Sequence, residues 1–215
     1  MIQLIPLPLE EDIQNILTYY WGNFNKLFPN IPKSQFLNWI NEDTYGGWEE
    51  STHVNAGGRR ELKMLYAVIR ATKPKNILEI GTYDGCSTNH ILLAAENNSK
   101  EGFDCSVTTI DINDYLKNKK LHNFPLNRVI QSSLNHLMTN SHYDFIMQDG
   151  DHSPIVVDKE LQVFKTLPNL KTVWSHDYYL RGTLISTFEK NSNMWSNHSP
   201  FKEPSYNAGF NIGII

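Results

Sequence analysis

The stretch Asn76-Ile-Leu-Glu-Ile-Gly81-Thr-Tyr-Asp-Gly85-Cys-Ser87 decides the fold of this chain. It opens with a short apolar run that is typical of a buried parallel strand, and Gly81 ends that run. A tight loop leads to Gly85, and a helix is expected from Ser87. We expect glycine at both positions because a Cβ there would collide with a ligand lying against the backbone. The amides of the loop and of the helix start would favour a carboxylate group on that ligand.

The regular pattern continues on both sides of this stretch. Before it, Arg59 to Ala71 has helical spacing of apolar residues. After it, strands alternate with helices over short connections, which predicts a doubly wound, parallel α/β sheet. The last two strands have no helix between them, so one of them should run antiparallel. The expected strands are Asn76 to Ile80, Ser106 to Ile112, Val129 to Ser132, Phe145 to Gln148, Thr172 to Ser175, Met194 to Asn197 and Gly209 to Ile215, and the expected helices are Ser87 to Glu96, the one that begins at Pro154 with Ser153 as its cap, and Thr183 to Lys190.

The first part of the chain has a different texture, aromatic-rich and irregular. Two short helices are expected, Leu9 to Trp21 and Ser34 to Ile40, the second capped by Ser34. Asn41 to Gly58 contains two Gly-Gly pairs and is interpreted as a long loop, in which Trp48 and His53 could form a lid. We therefore divide the chain into an N-terminal helical and loop extension, 1–56, and one domain, 57–215.

Composition excludes several functional classes. The formal charge of −4, from 23 acidic and 19 basic side chains, argues against a general nucleic-acid binder. The two cysteines, Cys86 and Cys105, have neither CxxC nor zinc spacing and are expected to be free thiols in a reducing compartment. No apolar stretch approaches the ~20 residues of a membrane span, and the first residues do not resemble a signal peptide. The sequence thus predicts a cytoplasmic protein without membrane contacts.

Polar side chains follow several of the expected strands. Asp111 ends the second strand, where an acidic group can accept both ribose hydroxyls of a nucleoside. Asp149 and His152 follow the fourth strand, and His176-Asp177 follows the fifth. The carboxyl ends of neighbouring parallel strands share one edge of the sheet, so Asp149 and Asp177 should lie close together. Two carboxylates there would repel unless a proton or a cation lay between them.

Together these residues resemble the class I S-adenosylmethionine-dependent methyltransferases, and within them the metal-dependent catechol-type and macrocin-type small-molecule O-methyltransferases. The resemblance covers Lys73 to Asp177. It implies a Rossmann-like, mostly parallel seven-stranded sheet whose last strand inserts antiparallel beside the fifth. It also places Gln131-Ser132-Ser133 where the family contacts adenine, and it implies that the donor is held by Glu79, Gly81, Thr82, Gly85, Ser87, Asp111, Ile112, Ser133 and Asp149, with Glu79 organising the loop.

The resemblance further implies chemistry at the shared edge. In that family an acid at the position of Asp149 and an acid pair after the fifth strand bind Mg²⁺, and His152 corresponds to the catalytic base. This chain has His176-Asp177 where the acid pair stands, and a histidine suits Mn²⁺, Fe²⁺ or Zn²⁺ better than Mg²⁺. Either Asp149, His176 and Asp177 hold a divalent cation such as Mg²⁺ or Mn²⁺, or His176 does not ligate and the site is weak or metal-free.

The resulting hypothesis is methyl transfer from S-adenosylmethionine to a small hydroxylated acceptor, a sugar or a phenol, by a protein expected to form a homodimer. Two alternatives stay open. A His/Asp/Asp cluster can also hold Fe²⁺, so a hydroxylase or oxygenase on the same scaffold is the first. The second is a non-catalytic module that keeps only the nucleoside pocket, since fold alone does not determine function.

Overall fold

The computed structural model describes residues 20–42, 59–117, 121–176, 186–187, 190, 197–201 and 210–214. Helix α1 covers residues 20–27 of this part, and five further helices follow: α2 (Lys33–Asn41), α3 (Arg59–Thr72), α4 (Cys86–Lys100), α5 (Ser133–Leu137) and α6 (Pro154–Phe164). The strands are β1 (Asn76–Ile80), β2 (Ser106–Asp111), β3 (Leu126–Ile130), β4 (Phe145–Gln148), β5 (Thr172–His176), β6 (Asn197–Phe201) and β7 (Phe210–Ile214).

The strands form one sheet in the order β3-β2-β1-β4-β5-β7-β6. Strands β1 to β5 pair in parallel, whereas β7 runs antiparallel between β5 and β6. The mostly parallel sheet with an antiparallel last strand beside the fifth is therefore confirmed. Because β1 lies between β2 and β4, the loops after these three strands meet at one edge of the sheet.

Helices cover both faces of this sheet because successive strand side chains point to opposite sides. On one face Ile77 and Trp174 pack in a cluster with α1 to α4, and on the other Leu78 and Val173 pack with α5 and α6. Both clusters are made of side chains that are almost entirely buried. This double cover is why β1 and β4 have mostly apolar sequences.

The described part of the N-terminal segment packs into the first of these clusters. Phe24 and Phe36 are fully buried there with the apolar face of α3. Lys63 of α3 donates hydrogen bonds from Nζ to the carbonyl oxygens of Ile40, at 2.6 Å, and Glu42, at 3.1 Å. The end of α2 is thus tied to the first turns of α3.

Strand predictions were wrong at the two edges of the sheet. Strand β3 begins at Leu126 and not at Val129. It lies at an edge of the sheet, and its residues Asn127 and Arg128 are exposed and polar. The first half of the strand therefore has no apolar pattern from which it could be predicted. Strand β6 covers Asn197–Phe201, so it continues past Asn197, where the predicted strand ends, and residues 194–196 lie outside the described residues. Among the described strands it pairs with β7 alone, and an edge position tolerates the missing N–H of Pro200.

Of the two predicted helix caps, the one at Ser34 is wrong and the one at Ser153 is confirmed. Helix α2 starts one residue earlier than expected, so Ser34 lies inside it and Pro32 occupies the cap position without a side-chain hydrogen bond. Ser153 does cap α6, with Pro154 in the first turn, but its side chain makes no capping bond. Instead Asp151 Oδ1 accepts a hydrogen bond from the backbone N–H of Ser153 at 2.7 Å.

Several predictions fall outside the described residues. They concern residues 9–19 of the first expected helix, the loop from residue 43 to Gly58 with Trp48 and His53, and the metal-ligand candidate Asp177. No helix in the described part of the chain is long and apolar enough to cross a membrane.

Candidate functional site

A cavity of about 670 Å³ opens where β1, β2, β4 and β5 end. Open α/β sheets bind their ligands at this edge. Of the predicted site residues, Glu79 and Gly85 do not line the cavity. Those that line it are Gly81, Thr82, Ser87, Asp111, Ile112, Ser133, Asp149, His152 and His176.

The glycines of the loop after β1 are required by the packing of the protein itself. Gly81 has φ +93°, and a Cβ there would lie 2.0 Å from the backbone oxygen of Asp149. Gly85 has φ +84°, and a Cβ would lie 2.8 Å from side-chain atoms of Leu116 and of Leu121. A Cβ at either position would thus already collide with the neighbouring loop or with the side chains packed beneath it, and the expected collision with a ligand stays a prediction.

Glu79 stabilises this loop from the side that does not face the cavity. Its side chain is fully buried and accepts hydrogen bonds of 2.6 Å from the hydroxyls of Ser87, Thr88 and Thr109. Burial raises the pKa of Glu79 to about 7, although these hydroxyl groups oppose the shift. Glu79 thus joins β1, β2 and the start of α4, and it is a positioning residue that does not face the cavity.

Asp111, at the end of β2, connects the second strand to the same loop. Its Oδ2 atom accepts hydrogen bonds from the backbone N–H groups of Thr82, at 3.1 Å, and Tyr83, at 3.0 Å. Its Oδ1 atom accepts one at 3.3 Å from the N–H of Asn113. Each carboxylate oxygen can accept more than one hydrogen bond, so the group retains capacity for hydroxyl donors in the cavity.

Beside Asp111, apolar surface continues the cavity wall. Ile112 is 70% exposed, and the rings of Tyr83 and Tyr115 meet edge to face with centroids 5.5 Å apart. All three residues line the cavity. A flat ring attached to a ribose at Asp111 would find apolar contact here.

A chain of polar contacts crosses the opposite side of the cavity. Asp149 Oδ1 lies 3.4 Å from Nε2 of His152 and 3.0 Å from Nδ1 of His176. His176 is buried, and its Nε2 atom lies 2.7 Å from Oε2 of Glu61. Burial of the Asp149 carboxyl raises its pKa, but the two histidines outweigh this and hold the pKa below its usual value. The site therefore favours an ionised Asp149.

The metal site expected at Asp149, His176 and Asp177 stays a prediction, because Asp177 lies outside the described residues. Both ring nitrogens of His176 face a carboxylate, one from Asp149 and one from Glu61. Within the described ranges, no group of three histidine, cysteine, aspartate or glutamate side chains could hold a metal ion.

A second buried carboxylate faces the end of the cavity near β3. Glu160 of α6 is 1% exposed, and its Oε1 atom accepts a 2.5 Å hydrogen bond from the hydroxyl of Ser133. Burial raises the pKa of Glu160 to about 7, against the opposing effect of Ser133 and Gln148. Glu160 and Ser133 both line the cavity.

Sequence reasoning missed Glu61 and Glu160, although a signal was present. In α6 the apolar stripe is formed by Val157, Leu161 and Phe164, and Glu160 lies within that stripe. Glu61 likewise stands one helical turn before Leu65, on the buried side of α3. An acidic residue on an apolar helix face needs a buried partner or a ligand.

Comparisons with known proteins agree with this architecture. No protein-family model and no curated protein matches the chain. Among solved structures it is similar to the O-methyltransferase TomG from Streptomyces achromogenes, involved in tomaymycin synthesis and solved in complex with SAM, with TM-score 0.57, 14% identity and coverage of 97% of this chain and 99% of that one. It is also similar to an O-methyltransferase from Bacillus cereus in complex with SAH, with TM-score 0.53, 15% identity and coverage of 93% and 99%. The chain therefore has the fold of the S-adenosylmethionine-dependent O-methyltransferases.

Proposed function

We propose that this protein transfers a methyl group from S-adenosylmethionine to a hydroxyl group of a small molecule. The observation that carries the proposal is the composition of the cavity wall. Six carboxyl side chains line it, and no lysine or arginine does so among the described residues. The six are Glu61, Asp84, Asp111, Asp149, Asp151 and Glu160.

Such a wall selects the charge of its ligand. S-adenosylmethionine has a sulfonium and an ammonium group, and both are attracted by nearby carboxylates. A dinucleotide has a pyrophosphate, which the same carboxylates would repel. The G-x-G-x-x-G spacing of dinucleotide sites is also missing from the loop between Gly81 and Gly85.

The proposed binding mode follows the order of the lining residues along the cavity. Asp111 would hold the ribose hydroxyls, the tyrosine and isoleucine surface beside it would contact the base, and Ser133 would mark the far end of the base site. The methionine portion would extend past Gly81 and Ser87 toward Asp149. When bound, S-adenosylmethionine supplies a methyl group made electrophilic by its positive sulfur.

His152 is the proposed general base. It lines the cavity beside Asp149, and it takes the proton from the acceptor hydroxyl as that oxygen bonds to the methyl carbon. The bond between methyl carbon and sulfur breaks, and its electron pair stays on sulfur. Asp149, held ionised by its neighbours, stabilises the protonated His152.

Residues 1–56 would cap the acceptor side. The main chain at the end of α2 is bound by Lys63, and the two residues before Lys63, Glu61 and Leu62, are part of the cavity wall. The N-terminal extension therefore leads directly to the side of the cavity where His176 and Asp149 lie.

Calorimetric titration with S-adenosylhomocysteine, in the presence of a chelator, tests the donor site. We expect binding by the native protein and a loss of roughly tenfold or more in Asp111→Asn, because hydrogen bonds to a charged group contribute about 1.5–3 kcal/mol each. Asp114→Asn is the matched control: this carboxylate pairs with Arg128 and is not part of the main cavity. No binding by the native protein at millimolar ligand, or equal affinity in the two variants, would contradict the proposal.

A further inference from the structure

The loop between β1 and α4 contains a carboxylate of the protein at the place where a ligand carboxylate is expected. Asp84 is half-buried and lines the cavity, and its Oδ1 atom accepts a 3.2 Å hydrogen bond from the backbone N–H of Cys86, the first residue of α4. A helix start attracts an anion because of the helix dipole and the N–H groups of the first turn. In this chain an anion at the start of α4 would meet the negative charge of Asp84.

Other hydrogen-bond donors of this loop are also engaged within the protein. The hydroxyl of Ser87, in the first turn of α4, donates to the buried Glu79 at 2.6 Å. Backbone N–H groups of the loop likewise donate to protein oxygens: those of Gly81 and Gly85 to the carbonyl oxygens of Ile110 and Thr82, and those of Thr82 and Tyr83 to the carboxylate of Asp111. No lysine or arginine of the described ranges lines the cavity. A carboxylate that entered here would therefore lose its water without gaining a cationic partner from these residues.

We propose that Asp84 is a specificity residue, which selects S-adenosyl ligands by the charge of their amino-acid tail. The inference rests on the proposed function, because it assumes an S-adenosyl ligand in this cavity. In the proposed binding mode the methionine portion passes this loop, and it carries an ammonium and a carboxylate group on one carbon atom. Asp84 attracts the ammonium and repels the carboxylate. A ligand with the amine alone consequently binds more tightly than a ligand with both groups.

Asp84 acts through its charge and not through a hydrogen bond to the ligand. Its Oδ1 atom is bound to the N–H of Cys86, and its Oδ2 atom is buried. Dissolved ions screen such a charge effect, whereas they leave a steric effect unchanged. In Asp84→Asn the side-chain oxygen that accepts the N–H of Cys86 is kept and the charge is lost. This substitution therefore tests the charge without removing the contact at the start of α4.

Calorimetric titration of two ligands into two proteins tests the inference. The ligands are S-adenosylhomocysteine and its decarboxylated form, which differ in the carboxylate alone. We expect the native protein to prefer the decarboxylated form by about tenfold at roughly 0.05 M salt, and by clearly less at roughly 0.5 M salt. We expect Asp84→Asn to bind the two ligands with about equal affinity at both salt concentrations, because the repelling charge is absent.

Each outcome decides between the proposed charge selection and its absence. Asp114→Asn is the control, since this carboxylate pairs with Arg128 outside the main cavity, and it should keep the native preference. Equal binding of the two ligands by the native protein, or tighter binding of S-adenosylhomocysteine, overturns the inference and leaves the donor site intact. The native preference in Asp84→Asn would overturn the role of this residue. If the native protein binds neither ligand, the proposed function and this inference fall together. Should Asp84→Asn not melt cooperatively, the preference of the native protein and its decrease with salt decide.

Discussion

The Nε2 atom of His176, the last residue of β5, lies 2.7 Å from Oε2 of Glu61, a residue on helix α3 that is 115 positions earlier in the chain. Both side chains are almost completely buried. The contact fixes the ring of His176, and with it the nitrogen that faces Asp149. Helix α3, which precedes the sheet in the chain, therefore fixes the position of the His176 ring beside Asp149 at the edge where the cavity opens.

Removing Glu61 should destabilise the fold strongly. Glu61→Ala leaves one nitrogen of the buried His176 without its partner, and breaking a buried pair costs about 3–5 kcal/mol. Urea denaturation measures this loss. Asp158→Ala is the control, since Asp158 pairs with the exposed Lys190 at 3.2 Å and such pairs contribute at most about 1 kcal/mol. Similar losses in the two variants would show that the buried pair is not a structural element.

Three glycine-to-alanine variants distinguish the energetic cost of a positive φ angle from the cost of a steric clash at the new Cβ atom. Gly22→Ala lies in α1 with nothing near its Cβ and should be neutral or stabilising by up to about 1 kcal/mol. Gly102→Ala also has open space but φ +86°, so it should cost about 1–2 kcal/mol. Gly81→Ala has φ +93° and a Cβ 2.0 Å from the Asp149 oxygen, so it should cost clearly more than Gly102→Ala. Equal thermal melting of Gly81→Ala and Gly102→Ala would contradict the close approach of the two loops.

Between about pH 4.5 and about 7, Glu79 should lower the stability of the fold as pH rises. The pKa of Glu79 is about 7 in the folded chain and 4.5 as its ordinary value, so between them the folded state binds more protons than the unfolded state. Ionisation of Glu79 then costs the fold about 3 kcal/mol at higher pH, at 1.36 kcal/mol for each pKa unit.

Denaturation curves across this range test that expectation in Glu79→Gln. The amide has the same shape and does not ionise, so we expect the difference in stability between Glu79→Gln and the native protein to change by about 3 kcal/mol across this range. Glu160, whose pKa is also raised to about 7, and His90, whose pKa burial lowers to about 4, act in opposite directions and are the same in both proteins. An unchanged pH dependence in Glu79→Gln would mean that this carboxyl does not titrate in the folded chain.

The final strand should contribute substantially to stability. Ile212 of β7 is fully buried and pairs with Trp174 of β5, so Ile212→Ala should cost about 2–5 kcal/mol. Ile155→Ala, at a position on α6 that is 68% exposed, should change stability by less than about 0.5 kcal/mol. Equal urea midpoints of these two variants would show that β7 is peripheral to the sheet.

The sequence predicted the centre of the sheet better than its edges, for a physical reason. Strands β1 and β4 are covered on both faces, so their apolar runs begin and end with the strands themselves. Strand β3 lies at an edge and has exposed polar residues, which removes the apolar signal from its first half. A buried strand can be recognised in the sequence by its apolar residues, whereas an edge strand with exposed polar residues cannot.

The same difference applies to the site. Asp111 and Asp149 could be predicted because they end strands of the central sheet. Glu61 and Glu160 lie on helices, and their roles depend on which helix face meets which strand end, which requires the three-dimensional packing. Glu79 was predicted to organise the loop, and its three hydroxyl partners come from both α4 and β2.

Because Gly81 has no Cβ, the backbone of the loop after β1 lies directly against the backbone of the loop after β4. No side chain lies between the two loops that could change its rotamer if one of them moved. An insertion or a shift in one loop must be accompanied by a matching shift in the other. If the loop after β1 is replaced by the loop of a protein with the same fold, the chimaera should therefore fold only when the segment around Asp149 is replaced with it.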